Sequence, residues 1–289
     1  MNKNNNKACI IVDSSSGIKN GEIKNVYMTP LHIIKNENGV ETQYKDLIEI
    51  TTEEVVKIQQ SKKASFKSSQ SSLGEMINLL EELRPKYQTI YIWPISKGLS
   101  SSYNTWNMAK EEFQDNNIIV IDSGHINISI KNHVIQMAKM IEENKTQEEI
   151  LKYVKDNENN WAGVLVVNDL TELKNGGRIS SFKAFFAKTL KLNILISYDG
   201  KLEFLDKEKD IDKAVDKVIN YINEKTNFKQ NGIKDSYIYT TYVDDEKNNQ
   251  LMKMLSEKIN YPIKKWHYFP AVIALHTGGG TFALFIESN

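Results

Sequence analysis

The sequence predicts an α/β protein of two domains, an N-terminal three-layer α/β/α domain with a mostly parallel sheet and a C-terminal α+β domain with a mixed sheet. In the first half, short apolar runs alternate with amphipathic helical stretches, which is typical of parallel sheets. After about residue 169, hairpin signals and strand–helix mixtures replace that alternation. The 289 residues exceed the usual single-domain size. We place the domains at residues 1–165 and 166–289.

Four apolar runs predict the strands of the first domain. They are Ala8–Val12, Thr89–Pro94, Ile118–Ile121 and Gly163–Val167. Three further positions predict helix starts, because a Ser or Thr followed three residues later by Glu has the spacing of a capping box. The three pairs are Thr51 with Glu54, Ser72 with Glu75, and Thr146 with Glu149.

The second domain begins with a predicted hairpin, in which residues 192–197 and 201–205 flank Tyr198-Asp199-Gly200. A helix over residues 210–225, a strand over 237–243 and a helix over 246–258 follow. Residues 272–286 are apolar around a glycine-rich centre, and this predicts two final strands joined by a turn.

Composition narrows the function classes. Net charge is zero with the charges interspersed, which argues against nucleic acid and anionic membranes as main partners. Cys9 is the only cysteine and no stretch of about 18 apolar residues occurs, so we expect a cytoplasmic protein. Metal-ligand spacing, a Walker-type loop and a dinucleotide fingerprint are all missing, so we expect neither metal nor cofactor.

Arg178 is a candidate anion-binding residue. The chain has 37 Lys and Arg residues, yet arginine occurs only at positions 84 and 178. A guanidinium can hold a carboxylate or phosphate through two parallel hydrogen bonds, and the preceding Gly176 and Gly177 would let the backbone approach such a ligand. The alternative is that Arg178 stabilises a turn by binding local carbonyls.

Three hydroxyl-rich turns are predicted in the first half, at residues 13–16, 65–72 and 96–102. The first and third follow predicted strands, and such turns lie at the carboxyl edge of a parallel sheet, where α/β proteins bind ligands. Serine hydroxyls and free N–H groups at helix starts would form a neutral cup for an anionic head group. The alternative is that these serines only cap helices and stabilise turns.

His276 precedes a glycine-rich run, Gly278-Gly279-Gly280, which either forms a backbone nest for an anion or is a flexible turn with an incidental histidine. A hydrolase is a further alternative, with Ser100 as nucleophile, His276 as base, and Asp13 or Asp122 as the orienting acid.

The order of these motifs resembles that of the DegV family of bacterial fatty-acid-binding proteins. The resemblance covers most of the chain. It rests on segments that occur in the family's order: Ile11–Ser16, Val26–Leu31, Tyr44-Lys45-Asp46, Ser68-Ser69-Gln70, Ser96–Tyr103, Val120–Ser123, Leu173–Ile179 with Gly176-Gly177-Arg178, Asp199–Leu202, and His276-x-Gly278-x-Gly280.

The resemblance implies a two-domain carrier that encloses one long-chain fatty acid, with the tail buried and the carboxylate at the domain junction. We expect the carrier to be a monomer without turnover of its own, for which transient membrane contact is possible. The implied partner is an ATP-dependent fatty acid kinase that converts the bound acid into an acyl phosphate for phospholipid synthesis. By the same resemblance, Ser68, Ser100, Arg178 and His276 hold the carboxylate. The full set of predicted ligand-binding residues is Ser68, Ser69, Ser100, Ser101, Arg178, His276, Thr277 and Gly278. The alternatives are the acyl hydrolase and a carrier of another amphiphile without a kinase partner.

Overall fold

The structure is a computed structural model that describes residues 6–122, 124–179 and 192–289. Its strands are β1 (Asn6–Asp13), β2 (Val26–Thr29), β3 (His32–Glu37), β4 (Val40–Lys45), β5 (Ser65–Ser69), β6 (Tyr87–Trp93), β7 (Ile118–Val120), β8 (Trp161–Val167), β9 (Asn193–Tyr198), β10 (Leu202–Glu208), β11 (Ile233–Thr240), β12 (Trp266–Tyr268) and β13 (Phe282–Ser288). Its helices are α1 (Thr52–Ser61), α2 (Leu73–Leu83), α3 (Ser102–Glu111), α4 (Ile128–Glu142), α5 (Gln147–Asp156), α6 (Thr171–Asn175), α7 (Ile211–Thr226), α8 (Phe228–Asn231), α9 (Asp245–Ile259) and α10 (Ala271–Thr277).

The N-terminal part is built on a parallel sheet in the order β2-β1-β6-β7. Side chains alternate across β1, so that Ile10 and Val12 pack against α4 and α5, while Cys9 and Ile11 pack against α2 and α3. Because helices cover both faces, the strands are apolar on both sides, as the short apolar runs predicted. This confirms the three-layer α/β/α prediction.

The three predicted capping boxes are confirmed at the starts of α1, α2 and α5. In each, the Ser or Thr side chain accepts from the backbone N–H of the Glu, and the Glu carboxylate accepts from the backbone N–H of the capping residue. Each cap stabilises its helix by about 1 kcal/mol. None of the described helices has the combination of length and apolar composition that crossing a membrane requires.

A small antiparallel sheet, β4-β3-β5, was not predicted. The predicted turn over residues 65–72 is therefore wrong in its first half, because residues 65–69 form strand β5. Only Phe66 of this strand is buried, and its neighbours Ser65 and Lys67 are exposed. The strand is stabilised by pairing with β3, which is remote in sequence, and its serines make the segment resemble a turn.

The C-terminal part is built on a mixed sheet in the order β10-β9-β8-β13-β11-β12. Only the pair of β11 with β12 is parallel, and the predicted hairpin of β9 and β10 is confirmed. Helices α7 and α9 cover one face of the sheet. The other face packs against α1, α10 and the small antiparallel sheet, in the largest core of the molecule. This confirms the mixed α+β prediction for the C-terminal part.

Two sequence predictions differ from the structure in this region. Strand β8 pairs with β9 and β13, so the boundary predicted between residues 165 and 166 falls inside a strand of the mixed sheet. The first of the two predicted final strands is wrong, since residues 271–277 form helix α10. All residues from 271 to 275 are buried, and a segment buried on every side carries no periodicity that distinguishes a helix from a strand.

Candidate ligand-binding site

A cavity of about 90 Å³ lies between the carboxyl end of the parallel sheet, strand β5, helix α10 and the mixed sheet. Most of its wall is apolar. The apolar lining residues are Leu31, Ile95, Leu99, Ile126, Leu165, Leu173, Leu202, Phe269, Val272, Ile273 and Phe285. The polar residues that line it include four predicted to hold a carboxylate, namely Ser68, Ser100, Arg178 and His276. The cavity is therefore amphipathic.

Ser68 and His276 form the central polar contact of this cavity. The Ser68 hydroxyl lies 2.7 Å from Nε2 of His276, although the two residues are 208 positions apart. Ser68 is placed by the pairing of β5 with β3, opposite Ile33, and His276 lies in the last turn of α10. The fold thus brings together two predicted residues that neither local motif could join.

Gly176 makes room for the histidine ring. A Cβ atom at position 176 would lie 2.2 Å from Nδ1 of His276 and 2.9 Å from its Cε1, distances that no side chain could keep. Gly176 has φ −72° and ψ −13°, an ordinary helical conformation, so close approach rather than backbone freedom explains this glycine. The imidazole therefore packs directly against the backbone that leads into Arg178.

His276 is neutral at physiological pH. Burial, together with the nearby positive charge of Arg178, lowers the pKa of its imidazole to about 3. A neutral imidazole has one N–H donor and one acceptor nitrogen. Nε2 faces the Ser68 hydroxyl, whereas Nδ1 is buried without a hydrogen-bond partner among the described residues.

Arg178 follows helix α6 and the turn formed by Gly176 and Gly177, the latter with φ +72°. Its guanidinium donates to the backbone oxygen of Gly176 and is half-buried. Burial lowers the pKa of Arg178. It forms no ion pair with a carboxylate of the described residues, so a cation faces the cavity beside the neutral histidine.

Ser100 lies in the loop between β6 and α3. Its hydroxyl accepts from the backbone N–H of Ser102, 3.2 Å away, at the start of α3. The loop is anchored by Asp13, the last residue of β1, whose carboxylate accepts a 2.7 Å bond from the N–H of Ile95. The predicted hydroxyl-rich loop at the carboxyl edge of the parallel sheet is therefore part of the cavity wall.

Of the four remaining predicted site residues, two line the cavity and two do not. Ser69 and Thr277 line the cavity, although the Ser69 hydroxyl donates to the oxygen of Gln70 and Thr277 donates to carbonyls of its own helix. Ser101 is exposed, and Gly278 ends helix α10 while its oxygen accepts from Thr241. Neither Ser101 nor Gly278 lines the cavity.

The predicted hydrolase triad is not assembled among the described residues. Nε2 of His276 faces Ser68 rather than Ser100, and no carboxylate orients its Nδ1. Asp13 is bonded to Ile95 and Ser15, while Asp122 forms an ion pair with Lys97. A serine nucleophile needs a base that is held in place by a third group. Among the described residues, Ser100 has no such base beside it.

The cavity and its surrounding sheets can be compared with known proteins. A family model described as an uncharacterised protein of the DegV family matches residues 7–289. The chain belongs to the DegV family. A DegV domain-containing protein of Ureaplasma parvum is 33% identical over 211 residues, which cover 73% of this chain and 98% of that relative. Another, from Mycoplasma genitalium, is 26% identical over 290 residues, covering 98% of this chain and all of the relative.

Solved structures of DegV family proteins have the same fold. One from Thermus thermophilus, described as fatty acid binding, aligns with a TM-score of 0.83 at 23% identity, over 98% of this chain and 100% of that chain. The fatty acid binding DegV of Bacillus subtilis aligns with a TM-score of 0.82 at 22% identity, over 98% and 99%. A DegV family protein of Eubacterium eligens, solved with heptadecanoic acid, aligns with a TM-score of 0.79 at 18% identity, over 98% and 100%.

In this DegV family chain, two polar residues that the sequence analysis did not select also line the cavity. Gln70 donates a 2.6 Å bond to Thr105, and its side-chain oxygen is buried without a described partner. Asn127 is fully buried, and neither atom of its amide has a described partner. Gln70 lies within a segment that carries the family resemblance. No sequence signal identified Asn127, because its burial depends on the tertiary packing.

A metal centre has no support in the described part of the chain. Within it, no group of three or more His, Cys, Asp or Glu side chains is arranged to hold a metal ion. His125 and His133 do lie close together, with ring centroids 4.9 Å apart, but they pack among Trp93 and Tyr153 in an aromatic cluster. Burial lowers the pKa of His125 to about 3.

Proposed function

We propose that this protein binds one long-chain fatty acid, with the carboxylate at Ser68, Ser100, Arg178 and His276 and the acyl chain in the apolar part of the cavity. The observation that carries the proposal is the bonded pair of Ser68 and His276, beside an arginine without a described ion-pair partner, in a cavity whose wall is mostly apolar. Solved DegV family proteins described as fatty acid binding support the same ligand class.

The neutral state of His276 suits a carboxylate ligand. With its proton on Nε2, the imidazole donates to the Ser68 oxygen, and the Ser68 hydroxyl hydrogen is then available to the ligand. The Ser100 hydroxyl supplies a second donor, and Arg178 supplies the positive charge. A buried carboxylate needs such partners, because an unpaired charge away from water is strongly disfavoured.

The acyl chain supplies most of the affinity. Each buried CH₂ contributes about 0.8 kcal/mol, so a long chain binds tightly once it is enclosed. The free volume of about 90 Å³ is smaller than the ~300–1,000 Å³ typical of small-molecule sites. Binding therefore requires the apolar walls to move apart.

We further propose that the bound acid is presented to an ATP-dependent kinase in the cytoplasm. A carboxylate oxygen attacks the γ-phosphorus of ATP, the bond to the bridging oxygen breaks, and an acyl phosphate and ADP result. Arg178 lies beside the carboxylate in this proposal and stabilises the negative charge on the transferred group. The carrier itself needs no catalytic residue, and we expect it to act as a monomer.

Native mass spectrometry of the purified protein tests the ligand, with organic extraction and identification of whatever is released. A fatty acid at one per chain is the expected result and gives the chain length directly. A different bound amphiphile would support the other carrier class. An empty protein that also fails to take up added fatty acids would exclude the proposal.

A further inference from the structure

Asn127 is a polar residue in an apolar part of the cavity wall. Its side chain is fully buried, with an exposed fraction of 0%, and it lines the same cavity as Ile126, Phe269 and Val272. Both the oxygen and the nitrogen of the amide lack a hydrogen-bond partner among the described residues. Buried amides are almost always hydrogen-bonded, because leaving one unpaired costs free energy.

The amide lies away from the carboxylate group of residues. A Cβ atom on Gly17 would be 3.6 Å from the Asn127 oxygen and 4.0 Å from Cγ of Pro270, so Asn127 lies near the N-terminal end of α10. His276 lies at the opposite end of that helix. His276 follows Pro270 by six positions, which corresponds to a rise of about 9 Å along an α-helix. An acyl chain anchored at His276 would therefore reach Asn127 partway along its length.

The backbone at Asn127 is also unusual. Its φ of 54° and ψ of −124° lie outside the regions that most residues adopt. Strained backbone of this kind occurs most often at functional sites, where the surrounding structure enforces it. Here the strain and the unpaired amide coincide at one residue of the cavity wall.

We propose that the cavity selects an acyl chain that carries a hydroxyl group in its middle, with Asn127 as the residue that recognises this group. The proposal rests on the proposed function, since it requires the carboxylate to bind at Ser68 and His276. A hydroxyl donates to the amide oxygen and accepts from the amide nitrogen, and so pairs both atoms. A keto group would pair only the nitrogen.

A plain hydrocarbon chain would cover the amide and leave both atoms unpaired. A site built to bond a hydroxyl rejects the analogue that lacks it, because its own buried groups then lose their partners. Discrimination should therefore depend on where the hydroxyl lies along the chain, and only one or two neighbouring positions should be favoured.

The test measures the affinity of the delipidated full-length protein for octadecanoic acid and for monohydroxy octadecanoic acids with the hydroxyl at successive carbons. We expect one mid-chain isomer to bind about tenfold more tightly than the unsubstituted acid. Asn127→Leu should remove this preference while retaining the volume. Because leucine tolerates the positive φ poorly, Asn127→Gly provides a second variant without the amide and without backbone strain.

Asn132→Leu is the matched control, since it makes the same replacement on α4 at a side chain that bonds Tyr237 outside the cavity. It should retain the preference. Equal affinities of the wild-type protein for all isomers and for the unsubstituted acid would overturn the inference and leave the fatty acid carrier intact. Failure of every acid to bind would instead exclude the proposed function, and the inference with it.

Discussion

The carboxylate of Asp46 accepts a 3.2 Å hydrogen bond from the backbone N–H of Val272, 226 positions further along the chain. Its other oxygen accepts a 2.7 Å hydrogen bond from the hydroxyl of Ser14, the residue that follows strand β1. Asp46 thus joins the carboxyl edge of the parallel sheet to helix α10, and the last turn of that helix carries His276. The position of the histidine is therefore coupled to a buried acid.

Asp46 makes stability depend on pH in a direction opposite to that of most carboxylates. Burial, together with the nearby negative charge of Asp13, raises its pKa from 3.8 to about 7. Between these values the unfolded chain releases the proton and the folded chain keeps it, so Asp46 costs stability as pH rises from about 4 to 7. The full effect is about 4 kcal/mol, at 1.36 kcal/mol per unit.

Asp46→Asn should remove this dependence. We expect the variant to be at least as stable as the wild type at pH 8 and to lose its advantage towards pH 4, as measured by urea unfolding across that range. Asp13 is also buried with a raised pKa, so part of the wild-type slope remains in the variant. Parallel stability curves for the two proteins would show that Asp46 is ionised throughout.

Local patterns predicted the parallel sheet and the helix caps, because both depend on residues close in sequence. Ile10 and Val12 are apolar because helices cover both faces of the sheet. Thr51 and Glu54 form a capping box through hydrogen bonds within the first turn of the helix, so this contact needs no residue that is remote in sequence. Strand β5 was not predicted, because its extended conformation depends on pairing with β3, which is remote in sequence. Helix α10 was mistaken for a strand, because burial on all sides hides its period.

The candidate site was predicted only through the order of motifs. Ser68 and His276 are 208 positions apart, and no local rule joins them. Four of the eight predicted residues had a named role at the carboxylate, and all four line one cavity. Ser101 and Gly278 belong to the same motifs but do not line the cavity, because a sequence motif does not decide which of its residues face a ligand. Asn127 needed the tertiary structure.

The serines can be tested by removing single hydroxyls. Ser68→Ala and Ser100→Ala should each weaken fatty acid binding by about 1–3 kcal/mol, or roughly 5- to 150-fold, because a buried carboxylate loses a donor. Ser101→Ala is the matched control, since that side chain is exposed and lies outside the cavity. Calorimetry with one saturated acid measures all three variants. Unchanged affinity in the first two would remove these serines from the site.

The two arginines of the chain provide a matched pair for the kinase step. Arg178→Ala should slow phosphoryl transfer to the bound acid by about 10²-fold, because a cation that stabilises the transferred charge is lost. Arg84→Ala removes an ion pair with Asp115 at the C-terminal end of α2, outside the cavity, and should leave the rate unchanged. The assay follows acyl phosphate formation with a fatty acid kinase at saturating fatty acid. Equal rates for both variants would exclude the proposed role of Arg178.

Gly176 tests whether the position of the histidine matters for binding. Alanine fits the backbone at position 176, but its Cβ would lie 2.2 Å from Nδ1 of His276, so the ring must move and its contact with Ser68 is disturbed. Overpacking of this kind costs about 1–3 kcal/mol of stability. We expect Gly176→Ala to lower both the stability and the fatty acid affinity, as measured by urea unfolding and calorimetry.

Gly74→Ala is the control for the same replacement, because nothing lies within 4 Å of a Cβ at position 74. It should stabilise α2 by about 0.5–1 kcal/mol and leave the affinity unchanged. If Gly176→Ala loses stability but keeps the wild-type affinity, the contact between Ser68 and His276 supports the fold rather than the ligand. Loss of both, with the control unaffected, would tie the close approach at Gly176 to fatty acid binding.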